Sequence, residues 1–162
     1  MKKRNVRSKS SKDVFFKKAQ LKTVEAIAKS FSNRNEKIGN KKKILNLHSE
    51  LRREWRVLVD LKIEEKNYER MLITGGSEFE PKSSTIKLYL VSLVVYLHEF
   101  KHVLQFFYPE YRALKDPEED AFAWALAVIK RGLPRYYEIV KRNSFFARFL
   151  AEHYFYEVDE ED

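Results

Sequence analysis

The chain has 162 residues, enough for one packed domain and few for two. A hydrophobic share of 44% with 14% aromatic residues excludes a wholly disordered chain, and the lack of Cys excludes a disulfide framework and a thiolate-bound metal, leaving His and carboxylates as ligands for any transition metal. The net charge of +8 is concentrated: residues 1–43 hold 15 Lys/Arg against Asp13, Glu25 and Glu36, a net of +12, while the remainder holds 17 against 21, a net of −4.

Residues 1–12 are basic, Ser-containing and without periodicity, which predicts a disordered arm ahead of a single domain over residues 13–156. No apolar h-region follows the arm, and the apolar stretch from Leu88 to Leu97 is too short to span a bilayer. The expectation is a soluble, cytoplasmic protein with no membrane partner. The basic residues 1–43 suit a contact with nucleic-acid phosphates, but a solvated helix face gives the same charge pattern, and aromatic side chains for stacking on bases are not interleaved with it.

Val14, Phe15, Leu21, Val24, Ile27, Ala28 and Phe31 recur at helical spacing, so a helix is predicted over residues 13–32, with Ser11 or Asp13 as its cap. Lys43 to Trp55 fits either a helix or a short strand. Three strands are then predicted: Val57 to Ile63, Met71 to Thr74 closed by Gly75-Gly76, and Thr85 to Tyr89. Short turns between them suggest an antiparallel sheet. An apolar helix follows from Val91 or Ser92 to Tyr108, stopped by Pro109. Asp116-Pro117 marks the start of another, with Asp116 as N-cap and Pro117 at the first helical position, running to about Lys130. A last helix is predicted over residues 135–154, and residues 157–162 form an acidic tail. Helices flanking a small sheet place the chain in the α+β class.

The apolar helix carries His98-Glu99-Phe100-Lys101-His102, an H-E-x-x-H pattern. At about 100° per residue, His98 and His102 share one face, so two imidazoles can hold one metal ion with Glu99 beside them as general base. Gln105 and Lys101 fall in the same arc, together with Val94, Val95 and Phe106, which makes that face look like a cleft wall. Leu93, Phe100, Leu104 and Phe107 lie opposite and are expected to be buried. An amphipathic helix with two exposed His is the plain alternative.

A catalytic zinc takes a third protein ligand. On the next helix Glu118 falls among Phe122, Ala125, Leu126 and Ile129, which suggests a carboxylate aimed inward and in need of a positive partner, whereas Asp120 falls beside Arg131 on the expected solvent side. Glu118 is therefore the first candidate and Glu119 the second. Glu119 would also complete a capping box with Asp116, and a first-turn carboxylate such as Glu118 also suits the helix dipole.

His98-Glu99-Phe100-Lys101-His102 followed by Pro117-Glu118-Glu119-Asp120-Ala121-Phe122-Ala123 resembles the gluzincin-type metallopeptidases, most nearly the small ImmA/IrrE-like group. In that group the H-E-x-x-H helix is followed by an E-x-[ND]-x-F-A signature, matched by Glu118, Asp120, Phe122 and Ala123. Lys101 departs from it, standing where a small residue is usual. The resemblance implies a small zincin-like domain, one Zn2+ and hydrolysis of a protein or peptide. It also implies an edge strand that receives the extended substrate, here Thr85 to Tyr89 with Ile86 and Leu88. The expected mechanism has Glu99 activate a zinc-bound water, with an oxyanion donor among Tyr96, Tyr108, Tyr111 and His153. Two other functions fit the residues: a DNA-associated regulatory protein using the basic amino-terminal third, and a zinc-binding pseudo-peptidase.

Overall fold

A computed structural model describes residues 10–31 and 39–142. Helix α1 (Ser11–Ser30) begins two residues earlier than expected, because Ser10 is its cap: the Ser10 hydroxyl accepts from the Asp13 N–H while the Asp13 carboxylate accepts from the Ser10 N–H. Residues 10–12 of the predicted arm thus belong to the helix and its cap; residues 1–9 lie outside the described ones. Helix α2 (Lys41–Glu54) resolves the ambiguous segment. Ile44, Leu47 and Leu51 turn one face inward, and Asn40 caps the helix by accepting from Lys43 N–H. Gly39 ahead of it faces the Val91 carbonyl oxygen, which a Cβ would approach to 2.6 Å.

Strand β1 (Asp60–Ile63) follows, and then the sequence reading fails at one element. Met71 to Thr74 is not a strand but the end of helix α3 (Tyr68–Thr74), which Asn67 caps and Gly75 closes at φ +73°. A four-residue apolar run carries no period of its own, and here the capping residues decide. Leu72 is 82% exposed, so the run does not serve as a core strand. The strand that occurs instead is β2 (Ser77–Glu80), joined by a tight turn to β3 (Thr85–Leu88).

With α3 in that position, the chain between β1 and β3 makes a crossover, and the two strands run parallel, Asp60 beside Thr85. Only β2 and β3 are antiparallel, with Ser77 opposite Leu88. The sheet is therefore mixed, in the order β1-β3-β2, and the expected all-antiparallel sheet is corrected. Ile86 and Leu88 sit fully buried on the central strand.

Helix α4 (Leu93–Phe107) lies against β2 and β3, and α5 (Pro117–Gly132) packs along it. Leu93, Tyr96, Leu97, Phe100, Val103 and Leu104 fill the core side of α4. Phe107, expected to be buried, is 38% exposed, since it falls in the last turn beyond the packed layer. Asp116 caps α5 as expected, accepting from Glu118 N–H and Glu119 N–H. Helix α6 (Pro134–Val140) forms the start of the predicted last helix but closes at Lys141, with 141–142 in a turn; residues 143–154, among them His153, and the acidic tail lie outside the described residues. The architecture is α+β, and no helix among the described residues is long and apolar enough to cross a membrane.

Candidate metal centre

One helical turn separates His98 from His102 on α4, and their Nε2 atoms stand 3.0 Å apart. Glu118, in the first turn of α5, reaches both: Oε2 lies 3.1 Å from His98 Nε2 and Oε1 lies 3.0 Å from His102 Nε2. Three ligand atoms from two packed helices thus converge, and the group could hold a metal ion. With metal–nitrogen bonds of about 2.0–2.1 Å, neighbouring ligands of a tetrahedral ion stand about 3.3 Å apart, close to the separations seen here.

Glu118 achieves this in an unexpected way. Its side chain is 67% exposed and lies over the mouth of the site instead of pointing into the core. The imidazoles are its partners: hydrogen bonding from His102, then from His98, holds its carboxyl far below the usual range. Burial opposes a charge on His102, but Glu118, with Gln105 and Glu99 adding, raises its pKa above the ordinary value. Glu119 is not one of the three donors.

Glu99 is 5% exposed and lies beside the ligands, its Oε1 3.9 Å from His98 Nε2. Ser77 at the start of β2 donates its hydroxyl to that oxygen at 2.7 Å. Nothing in the sequence signals this contact, because it depends on a strand that the sequence pattern does not reveal. The Phe122 ring packs on the His98 imidazole at 3.9 Å between centroids.

Two further side chains reverse their expected positions. Asp120 is fully buried, accepting from Ala113 N–H and Leu114 N–H through Oδ1, because the segment before α5 folds over that face of the helix. Lys101, also fully buried, approaches Asp120 Oδ2 to 3.6 Å and lies 4.2 Å from the centre of the Tyr111 ring. Burial pulls the Lys101 ammonium down to about 8, with Asp120 opposing the shift.

The oxyanion candidates fare differently. Tyr111 is not at the site: it stacks on Phe16 at 4.5 Å and contacts Trp55 on the core side of α4, because the turn Pro109–Tyr111 carries it there. Tyr96 is buried against His48 Nδ1, and Tyr108 donates to the Trp55 carbonyl. The tyrosine that does line the cleft is Tyr136 on α6, whose pKa burial raises, with Ser92 acting in the opposite direction. The edge-strand assignment also changes. Ile86 and Leu88 belong to a strand paired on both sides, so neither can receive a further strand, whereas Ser77, Glu78 and Phe79 of β2 line the cleft at the sheet's edge.

The cleft has a volume of about 1120 Å3 and mixes the polar group with apolar walls from Phe79, Val94, Val95, Phe106 and Phe122. Lys18, Lys22, Lys29, Lys41 and Lys42 are exposed on α1 and α2, the described part of the basic amino-terminal third. Comparison with known proteins found no matching family model, no matching curated sequence and no matching solved structure.

Proposed function

We propose that this chain is a zinc-dependent peptidase of the type that its H-E-x-x-H and E-x-D-x-F-A residues resemble. The observation that carries the reading is the convergence of His98, His102 and Glu118 beside a buried carboxylate, Glu99, in one cleft. Two nitrogens and one carboxylate oxygen suit Zn2+, and the chain offers no thiolate. When bound, the ion supplies a Lewis acid that acidifies water and polarises a carbonyl group.

The chain's own residues do the rest. Glu99 takes a proton from the attacking water and passes it to the leaving amine. The Ser77 hydroxyl fixes the rotation of that carboxylate. An extended peptide adds to the outer edge of β2 as a fourth strand, exchanging backbone hydrogen bonds there while its side chains alternate toward and away from the cleft. Phe79, Val94, Val95 and Phe106 favour a large apolar side chain next to the scissile bond. Tyr136 faces the same cleft and is the donor available to a developing oxyanion.

The test is hydrolysis of unstructured polypeptides carrying apolar side chains, with and without a chelator, by the wild type and by Glu99→Gln. Activity abolished by chelation and by the substitution is expected. Full activity in either case sinks the mechanism, and stoichiometric zinc without turnover on any peptide identifies a pseudo-peptidase.

A further inference from the structure

The two imidazoles of the candidate metal centre are held differently. His98 packs under the Phe122 ring, and its Nδ1 is buried without a hydrogen-bond partner among the described residues. His102 Nδ1, by contrast, lies 2.7 Å from Gln105 Oε1, the side chain three residues further along the same helix.

The orientation of that amide follows from its other contacts. Gln105 Nε2 lies 2.8 Å from the Pro117 carbonyl oxygen and 2.9 Å from Asp120 Oδ2. A carbonyl and a carboxylate beside an ammonium only accept, so the NH2 end must face α5 and the carbonyl end must face His102. An amide oxygen also only accepts, so the proton between them belongs to His102 Nδ1. With the Nδ1 proton committed to Gln105, Nε2 is the ring nitrogen left for an ion; without an ion it donates instead to Glu118 Oε1 at 3.0 Å. The other tautomer would set two acceptors against each other at 2.7 Å. Asp120 is itself fixed by the Ala113 and Leu114 N–H groups and by Lys101, so the order extends from a buried ion pair to the metal-binding nitrogen.

We propose that Gln105 is the positioning residue of the metal centre: anchored on α5 through Pro117 and Asp120, it holds His102 as the Nδ1–H tautomer and presents Nε2 to the ion. This rests on the metal-centre reading above and adds to it a role for Gln105, a further polar residue on the same face of α4. The pattern in the sequence is H-E-x-x-H-x-x-Q. It also accounts for Lys101, whose ammonium lies 3.6 Å from Asp120 Oδ2, the oxygen that accepts from Gln105.

The experiment is zinc competition against a chromophoric chelator on the full chain, comparing the wild type, Gln105→Met and Gln105→Ala, each also in a His102→Ala background. Outer-sphere partners of this kind change metal affinity by roughly 10–100-fold, so that loss is expected for both Gln105 variants while His102 is present. In the His102→Ala background the same substitutions are expected to change affinity by less than about two-fold, because their effect runs through the missing ring. An unchanged affinity in both Gln105 variants overturns the relay and leaves the metal centre standing. Equal losses in the two backgrounds show a general packing role and also overturn it. A wild type that binds no zinc overturns the metal centre and the relay together.

Discussion

Lys101 Nζ lies 3.6 Å from Asp120 Oδ2 with neither side chain exposed, so the helix of the two imidazoles and the helix of Glu118 are joined by an ion pair inside the protein. Removing one partner leaves the other charge buried and uncompensated. Lys101→Met is therefore expected to destabilise the fold by about 3–5 kcal/mol, and Lys101→Met with Asp120→Asn to recover part of that, since the Asn oxygen still accepts from Ala113 and Leu114. Urea unfolding of the three proteins measures both, and a single variant as stable as the wild type refutes the expectation.

His48 is buried against Tyr96 on the core side of α4. Burial lowers its pKa to about 4, with Arg52 adding to the shift while the Val59 carbonyl and Asp60 oppose it. The Nε2–H donates to Val59 and Nδ1 accepts from the Tyr96 hydroxyl, an arrangement that only the neutral ring satisfies. Between pH 6.5 and about 4 the unfolded chain binds a proton that the folded chain does not. Stability from this group is thus complete above pH 6.5 and falls by about 3 kcal/mol as the pH drops through that window. Denaturation curves at successive pH values, compared with those of His48→Gln, isolate the slope; equal slopes contradict the assignment.

Glu118 and Glu119 are adjacent in sequence but different in reach. Glu118→Ala is expected to lose stoichiometric zinc and Glu119→Ala to retain it, read by elemental analysis after desalting. Retention in the first and loss in the second would transfer the third ligand to Glu119.

Leu88 sits on the central strand, fully buried. Leu88→Ala should cost about 2–5 kcal/mol of stability through the cavity that it opens. A substrate-edge residue would instead change KM and leave the unfolding midpoint alone, so the two measurements separate the roles.

Ser77→Ala removes the hydrogen bond to Glu99 Oε1 without touching a metal donor. Peptide hydrolysis is expected to fall in kcat by about 10-fold or more, with zinc content unchanged and KM little altered, the loss of a bond to a charged group being worth about 1.5–3 kcal/mol. Ser77→Thr should restore part of it. An unchanged kcat in an active wild-type background would remove Ser77 from the site.

Where helical spacing was sustained the fold was legible: α1, α4 and α5 lie within two residues of their expected limits, although Ser10 and not Ser11 or Asp13 caps α1, and Asp116-Pro117 starts α5 as read. The His98–His102 pair followed from helical arithmetic alone, because both candidate ligands share one helix. Residues whose placement depends on other elements were not legible. Met71 to Thr74 gave no period to distinguish helix from strand, and that one element also decided the direction of β1 against β3 and concealed β2 with Ser77. The helical wheel of α5 similarly misplaced Asp120, because a wheel knows only its own helix and not the segment 112–116 that covers it.

The three candidate metal donors sit on two helices clamped together by Lys101 and Asp120, whereas the carboxylate that would move the proton is steadied from the sheet. A small shear of β2 against α4 would therefore silence proton transfer with the ion still in its seat. On the proposed reading, metal occupancy and catalytic competence would be two separate properties, and a full complement of zinc would be no measure of the fraction of molecules able to turn over.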